Sequence, residues 1–269
     1  MAEFTAKDVQ SLRNLTGAGM MDAKRALTET DGDQAAAAKW LRERGLGKAA
    51  ERAGRESQEG AVAVSYDRGA NAIALVQLRS ETDFGAKSPD FVNLVNELAA
   101  LVAAEGEDAV SQRKEAIEDL NIVTRENVQL GEVARFQAAP GNSVGSYLHV
   151  QNDRGVNGVI VEVEGGDDDL AHDIAVHIAF GKPRYLRRED VPSEDVEAER
   201  ATLETETRNE GKPEAALPKI VEGKLNGWFK RVPGGVLVEQ PYAKDDSKTV
   251  AQYLGNARIV RFAQVLIGG

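Results

Sequence analysis

The sequence predicts an α+β protein: an N-terminal three-helix module, a two-part core with an internal repeat, and an inserted antiparallel helical hairpin. Three observations support this fold class. Helical apolar patterns fill the first 45 residues, alternating segments flank a short turn twice, near residues 67 and 153, and a highly charged stretch interrupts the second half. With 269 residues, 42% of them hydrophobic, the chain is long enough for about two domains.

Two helices are predicted on either side of a glycine turn. Thr5 followed by Asp8 is a capping pair, so the first helix is expected to begin there. Gly17 and Gly19 supply backbone freedom that ends this helix and reverses the chain. A second helix is predicted over residues 21–30.

A third helix, which carries Trp40, is predicted to end at Gly45. The following residues 47–60 are charged and poor in large apolar side chains, which is typical of a flexible tether. So small a bundle is marginal alone, and this favours a docking module over an enzyme core.

The glycine turn is followed at once by Met20 and Met21. Methionine is unbranched and polarizable, so these side chains can fill the small core or offer an adaptable apolar contact to a partner. Both interpretations remain open from the residues alone, with core packing favoured for one methionine and partner contact for the pair.

The core is predicted to begin with a β-hairpin. Residues 61–66 and 72–79 alternate as strands around the turn segment 67–71. A helix is then expected, with Ser88 as N-cap and Pro89 as its first residue.

The same order recurs 86 residues later. Residues 144–150 and 159–163 are predicted strands around a turn at 153–157, and a helix through Ile174 and Ile178 follows. The two turn segments agree at four of five positions, which indicates an internal repeat of hairpin plus helix.

A charged helical hairpin is predicted to interrupt the second half. Residues 193–209 form the first arm, the chain turns at 211–213, and the second arm returns through residues 220–229. Arms of about 18 residues would each reach roughly 27 Å. The hairpin is either a solvated decoration or an association arm, with Trp228 and Phe229 at its base.

The remaining chain is predicted to rejoin the sheet at residues 236–238, to form a short helix from Thr249, and to end in a strand over 258–267. The expected division is into a docking module (1–55), core subdomain N (56–140), core subdomain C (141–190 and 231–269) and the inserted hairpin (191–230).

Charge and composition exclude several functional classes. The net charge is −11, yet residues 1–55 hold 10 Lys and Arg against 8 Asp and Glu, so the remaining body is strongly acidic. An acidic body disfavours nucleic acid and favours a protein partner. The absence of cysteine excludes disulfides and thiolate chemistry. The absence of membrane-length apolar runs and of a signal-like beginning predicts a cytoplasmic protein without membrane contact.

No pattern of an enzyme active site is present. Gly17 and Gly19 follow a predicted helix and lack the third glycine of a dinucleotide loop, and no Walker-type loop occurs. His172 and His177 point in different directions on one predicted helix, so these histidines and His149 are interpreted as surface or satisfied groups. Residues 167–169 are interpreted as a turn and helix cap. We therefore expect neither catalysis nor a cofactor nor a metal.

Four consecutive polar and aromatic residues lie between the first predicted hairpin and the helix that follows it: Glu81, Thr82, Asp83 and Phe84. From the residues alone, Thr82 or Asp83 would be the N-cap of a helix and Phe84 would pack into the core as a staple.

Residues 12–27, with Thr16-Gly17-Ala18-Gly19-Met20-Met21-Asp22 at their centre, resemble the N-terminal signature of the bacterial elongation factor Ts family. Later segments resemble family motifs in the same order. They are Thr82 to Phe84 with Ala86 and Lys87, Gly145 to Tyr147 with His149, Lys182 and Pro183, Gly211 to Pro213, Val221 to Gly223, and Ser247 to Val250.

This resemblance implies a guanine-nucleotide exchange factor in translation, with the GTPase elongation factor Tu as partner and no nucleotide of its own. It also implies a ubiquitin-associated-like N-terminal module and a coiled-coil insertion. The residues that it assigns to partner binding are Arg13, Met20, Met21, Thr82, Asp83, Phe84 and His149, of which Asp83 and Phe84 would intrude beside the magnesium and phosphate site. A homodimer and a 1:1 heterodimer with the GTPase both remain open.

The chain departs from the family pattern at three places. Gly85 stands where Val is usual, which predicts a looser loop behind Phe84. Residues 129–132 differ from a common basic stretch, and a C-terminal helix after Phe262 is not expected. Two alternatives remain: an interaction scaffold that binds a helix or peptide, and an RNA- or ribosome-associated factor, which the acidic body disfavours.

Overall fold

The computed structural model describes residues 4–268 and combines helices with small antiparallel sheets. The helices are α1 (Ala6–Thr16), α2 (Met20–Glu29), α3 (Gln34–Arg52), α4 (Asp83–Ala86), α5 (Pro89–Glu105), α6 (Lys114–Thr124), α7 (Asp168–Gly181), α8 (Ser193–Asn209), α9 (Leu217–Phe229) and α10 (Val250–Leu254). The strands are β1 (Glu59–Asp67), β2 (Ala72–Ser80), β3 (Gln129–Gln137), β4 (Asn142–Gln151), β5 (Arg154–Glu164), β6 (Pro241–Tyr242), β7 (Asp245–Thr249) and β8 (Arg258–Leu266). Across the described residues, no helix combines the length and apolar character needed to cross a membrane.

Two three-stranded sheets repeat one topology. In sheet one the order is β1-β2-β3, and in sheet two it is β4-β5-β8, with antiparallel pairing throughout. Each sheet is a hairpin followed by a helix, α5 or α7, and a later strand that pairs with the second strand of the hairpin. The predicted repeat of hairpin plus helix is therefore present in the order of the elements.

The two sheets pack face to face and each carries its helix on the outer face. Alternate side chains of β2 point in opposite directions, so Ala74 and Val76 pack with α5 while Ile73 and Leu75 meet sheet two. In sheet two, Ile160 meets sheet one and its neighbours pack with α7. The central strands β2 and β5 are almost entirely buried because both their faces are covered.

The turn predicted at residues 153–157 is wrong. The chain reverses at Asn152 and Asp153, whose φ angles are 53° and 61°, and β5 begins at Arg154. Gly155 belongs to the strand, where a β-carbon would lie 2.1 Å from the carbonyl oxygen of Val62 in sheet one. The glycine that looked like a turn residue instead allows the two sheets to approach.

The N-terminal module has its own small core. The predicted capping box of Thr5 and Asp8 begins α1, and Gly17 ends it in the left-handed region with φ 67°. The side chains buried between the helices are Val9, Leu12, Ala23, Ala26, Leu27 and Ala37.

The predicted end of the third helix at Gly45 is wrong, because α3 continues to Arg52. A β-carbon on Gly45 would lie 2.7 Å from Ile122 Cγ2, so this glycine serves the crossing of α3 with α6. The flexible tether predicted over residues 47–60 is also wrong for the residues that follow α3. The Asn127 amide donates to the carbonyl oxygens of Ala53 at 3.3 Å and Arg55 at 2.7 Å, which fixes this segment to the core.

The charged stretch forms α8 and α9, which pack through Leu203, Val221 and Leu225. Helix α8 has 17 residues, whereas α9 has 13 and follows a short 3-10 turn. Side chains of the two helices form an ion pair between Arg200 and Glu222 at 3.0 Å. Near the base, Trp228 and Phe229 lie edge to face, with ring centroids 5.0 Å apart.

Residues 236–238 do not rejoin a sheet, contrary to the prediction. Val236 forms only an isolated bridge with Tyr185, and a 3-10 turn follows. The cause is local, because the Val236 N–H donates to the Phe229 carbonyl at 2.7 Å and the Leu237 N–H donates to Tyr185 at 2.8 Å. These bonds tie the segment to the end of α9 and to the chain between α7 and α8. The short helix after Thr249 and the final strand are present as α10 and β8.

Candidate partner-binding surface

Phe84 stands on the first turn of α4, just after β2. Thr82 is the N-cap, and its hydroxyl accepts a hydrogen bond from the Gly85 N–H at 3.2 Å. The Phe84 side chain is 82% exposed, whereas Ala86 of the same helix is buried. The capping part of the residue-level interpretation is confirmed, but the packing of Phe84 into the core is wrong.

Asp83 is charged at neutral pH beside this ring. Lys87 forms an ion pair and hydrogen bond with its carboxylate, which lowers the pKa of Asp83 below its ordinary value. The Lys87 ammonium also lies 5.7 Å from the centroid of the Phe84 ring. The short helix thus presents an apolar ring next to a paired carboxylate.

Glu126, which the sequence analysis missed, holds this loop from the segment after α6. Its carboxylate accepts hydrogen bonds from the Thr82 N–H at 3.1 Å, from the Thr82 hydroxyl and from the Ser80 hydroxyl. Because 44 residues separate Glu126 from Thr82, no local pattern indicated this contact.

The absent β-carbon at Gly85 leaves room for that carboxylate. A β-carbon there would lie 2.6 Å from Glu126 Oε2 and 2.8 Å from its Cδ. The Glu126 carboxylate thus occupies the space that a Val side chain would take. Its hydrogen bonds to Ser80 and Thr82 hold the loop that carries Phe84.

The glycine turn between α1 and α2 presents a second apolar surface. Met20 is 45% exposed and Met21 is 75% exposed, with Leu15 72% exposed on the neighbouring turn of α1. Arg13 is exposed on the same helix. The methionines are therefore not part of the module core, and of the two interpretations only a surface role is compatible with their positions.

A single segment connects this turn with the Phe84 loop. A β-carbon on Gly17 would lie 3.0 Å from Val123 Cγ2 at the end of α6. Two residues later, Arg125 pairs with Asp22 of α2 at 3.4 Å. The next residue is Glu126, which holds Thr82. Consecutive residues therefore touch the N-terminal module and the loop that carries Phe84.

His149 is exposed near the end of β4, where it pairs with Asn157. The strand register shifts immediately after it. Beyond the turn, Arg154 is buried, donates to the Gly60 carbonyl and pairs with Glu59 at 2.8 Å. Its charge also contributes to the lowered pKa of Asp83. This contact ties the end of the second hairpin to the edge of sheet one that carries α4.

The other histidines are surface or satisfied groups, as predicted. His172 is exposed and contacts the Ser146 carbonyl at 2.9 Å. His177 is buried; the Ala243 N–H donates to its Nδ1 at 3.1 Å, so its Nε2–H donates to Gln240 Oε1 at 3.0 Å. Burial lowers the pKa of His177. Asp167 is the N-cap of α7, as predicted. Between residues 4 and 268, no group of three or more acidic or histidine side chains is arranged to hold a metal ion.

Comparisons with known proteins agree on one family. The family model described as "Elongation factor TS" matches residues 81–269. The elongation factor Ts of Streptomyces griseus is 44% identical, with all of both chains covered. That of Clavibacter michiganensis is 43% identical over all of both chains, and that of Deinococcus deserti is 40% identical over 97% of this chain and 99% of its own.

Proposed function

This chain belongs to the elongation factor Ts family, and we propose that it is a guanine-nucleotide exchange factor for elongation factor Tu. It would bind the GDP-loaded GTPase and promote GDP release during translation elongation, without covalent chemistry and without a cofactor. The observation that carries the proposal is Phe84. It is 82% exposed on a capped four-residue helix, so its ring contributes little to the core and is accessible to a partner.

The proposed division of labour uses three groups of residues. Arg13, Met20 and Met21 dock the N-terminal module on the GTPase. Asp83 and Phe84, with Thr82 as their cap, disturb the surroundings of the magnesium ion and phosphates. His149 contacts a further surface of the partner.

Asp83 suits this role because it is an exposed carboxylate next to Phe84, and the Lys87 ammonium that lowers its pKa further favours the charged form. A charged carboxylate brought close to a nucleotide site competes with phosphate oxygens for a cation and repels the phosphates themselves.

Linkage sets the energy that the surface must supply. A partner that binds the nucleotide-free GTPase better than the GDP form weakens GDP binding by the same factor. A thousandfold effect corresponds to about 4 kcal/mol, whereas burial of one Phe side chain contributes roughly 1.5 to 3 kcal/mol. Phe84 alone is therefore insufficient, and the contacts at the glycine turn and at His149 must favour the nucleotide-free state as well.

Around this surface we propose the domain organisation of the family. Residues 1–55 act as a ubiquitin-associated-like docking module, 56–140 as core subdomain N, and 141–190 with 231–269 as core subdomain C. Residues 191–230, which contain α8 and α9, act as a coiled-coil insertion. The protein works in the cytoplasm, either as a 1:1 heterodimer with the GTPase or as a homodimer that binds it, and it requires neither nucleic acid nor a membrane.

The direct test is the release of a fluorescent GDP analogue from purified elongation factor Tu. The proposal predicts that added protein accelerates release in a concentration-dependent and saturable way, and that Met20→Ala and Met21→Ala, at exposed residues of the docking module, weaken the effect. Binding to the GTPase with an unchanged release rate would instead identify an interaction scaffold. Binding to RNA with a steep salt dependence would favour a ribosome-associated factor.

A further inference from the structure

The junction at residues 126–127 clamps the loop that carries Phe84 in a reciprocal way. Glu126 accepts from the Thr82 N–H, and in the opposite direction the Asn127 N–H donates to Glu81 Oε1 at 2.7 Å. Two neighbouring residues of one segment thus bond two neighbouring residues of the other. Asn127 is itself buried, so the clamp is anchored in the core.

The clamp reaches Phe84 through one hydroxyl group. The Thr82 hydroxyl donates its proton to Glu126 Oε1, which turns an oxygen lone pair toward the Gly85 N–H. Asp83 and Phe84 lie between the two ends of this cap. The Glu126 carboxylate therefore orients the group that fixes the first turn of α4, although Glu126 belongs to another segment of the chain.

We propose that Glu126 is a positioning residue for nucleotide release. By holding the Thr82 cap, it fixes the direction in which the Phe84 side chain projects from the protein surface. This inference rests on the proposed exchange function. Glu126 itself does not have to touch the GTPase or its nucleotide. Its loss is expected to affect the efficiency of the bound complex more than the affinity of docking, because the glycine turn with Met20 and Met21 is a separate surface.

Two substitutions separate the hydrogen-bond geometry from the charge. Glu126→Ala removes every bond to Ser80 and Thr82. Glu126→Gln keeps an amide oxygen that can accept from the Ser80 hydroxyl and the Thr82 N–H, while its NH₂ group donates to the Thr82 hydroxyl oxygen. Glu115→Ala, at an exposed glutamate of α6, is the matched control.

The experiment measures two properties of each full-length variant. Hydrogen–deuterium exchange over residues 80–88 reports the order of the loop. Stopped-flow release of a fluorescent GDP analogue from elongation factor Tu, over a range of protein concentrations, separates the maximal rate from the half-saturating concentration.

For Glu126→Ala we expect faster exchange at Thr82 and Gly85 and a maximal release rate about tenfold lower, as for the loss of a charge-assisted hydrogen bond. The half-saturating concentration should stay close to that of the wild type. Glu126→Gln should retain most of the rate, and Glu115→Ala all of it.

The role of Glu126 is overturned if Glu126→Ala leaves loop exchange or the maximal rate at the level of the Glu115→Ala control. If Glu126→Ala does not fold, Thr82→Val, which replaces the hydroxyl with a methyl group, must slow release, and a wild-type rate overturns the inference. Failure of the wild-type protein to accelerate release overturns the proposed function as well. A slow Phe84→Ala variant beside an unaffected Glu126→Ala variant overturns the inference alone.

Discussion

The carboxylate of Glu126 accepts a hydrogen bond from the backbone N–H of Thr82 at 3.1 Å, across 44 residues of sequence. The same carboxylate occupies the space beside Gly85 that a β-carbon would fill. Cap, glycine and carboxylate therefore depend on one another, and this dependence can be measured as a coupling energy.

The effect of Gly85→Ala on the free energy of unfolding should change sign when Glu126 is replaced by Ala. In the wild type the new methyl group meets the Glu126 carboxylate and disrupts a cap worth about 1 kcal/mol, so the free energy of unfolding falls. In a Glu126→Ala background the collision is absent, and the better helix propensity of Ala should stabilise α4 by about 0.5 to 1 kcal/mol. A double-mutant cycle by urea denaturation measures both effects. Equal effects of Gly85→Ala in the two backgrounds would contradict the coupling.

Met20→Ala and Met21→Ala should weaken binding to elongation factor Tu and leave stability almost unchanged. Both side chains are exposed, so their removal should alter the free energy of unfolding by less than about 0.5 kcal/mol. Loss of one apolar anchor at an interface typically costs about 1 to 2 kcal/mol, which corresponds to roughly a tenfold weaker Kd. Calorimetric titration gives the affinity and thermal denaturation the stability. Leu12→Ala, in the module core, is the control that should lower stability instead.

Gly45→Ala tests the crossing of α3 and α6. The added methyl group would lie 2.7 Å from Ile122 Cγ2, and overpacking of this kind costs about 1 to 3 kcal/mol. Gly47→Ala is the matched control, because a β-carbon at Gly47 meets no atom within 4 Å and should stabilise the helix by about 0.5 to 1 kcal/mol. Urea denaturation of the two variants should give opposite shifts. A stabilising Gly45→Ala substitution would show that the helices do not cross there.

His177 should make the stability of the fold sensitive to acid. Burial lowers its pKa below the ordinary value of 6.5. As the pH falls, the His177 imidazole therefore takes up a proton in the unfolded chain before it does so in the folded protein. The full free energy of unfolding is therefore present above pH 6.5. It declines as the pH falls below 6.5, with a slope from this residue of at most about 1.4 kcal/mol per pH unit. The free energy of unfolding should decline less steeply for His177→Gln than for the wild type. An equal decline for His177→Gln and the wild type would contradict this assignment.

Local patterns predicted much of the fold. The capping box of Thr5, the Ser88 cap before Pro89 and the repeated hairpins each depend on residues that are close in sequence, and the structure contains all of them. The helix end predicted at Gly45 was wrong because a glycine after a helical pattern usually ends the helix. Only its distant neighbour Ile122 shows that it serves a crossing.

The candidate surface was partly predictable for the same reason. Thr82, Asp83 and Phe84 are consecutive, and they form a segment that resembles a motif of the family. From the residues alone, Phe84 was predicted to pack into the core, because an aromatic residue behind an N-cap is a common staple. Glu126 was not found, because its contact with Thr82 exists only after β3 and the end of α6 have been brought beside β2.

The most direct test of the central claim compares two exposed phenylalanines. Phe84 is 82% exposed and Phe180, on α7, is 62% exposed, so replacement of either by Ala should leave the fold intact. The measurement is the maximal rate of release of a fluorescent GDP analogue from elongation factor Tu. The proposed mechanism predicts a rate roughly ten- to a hundredfold lower for Phe84→Ala, in line with the burial of one Phe side chain, and a wild-type rate for Phe180→Ala. Equal rates for Phe84→Ala and the wild type would contradict it.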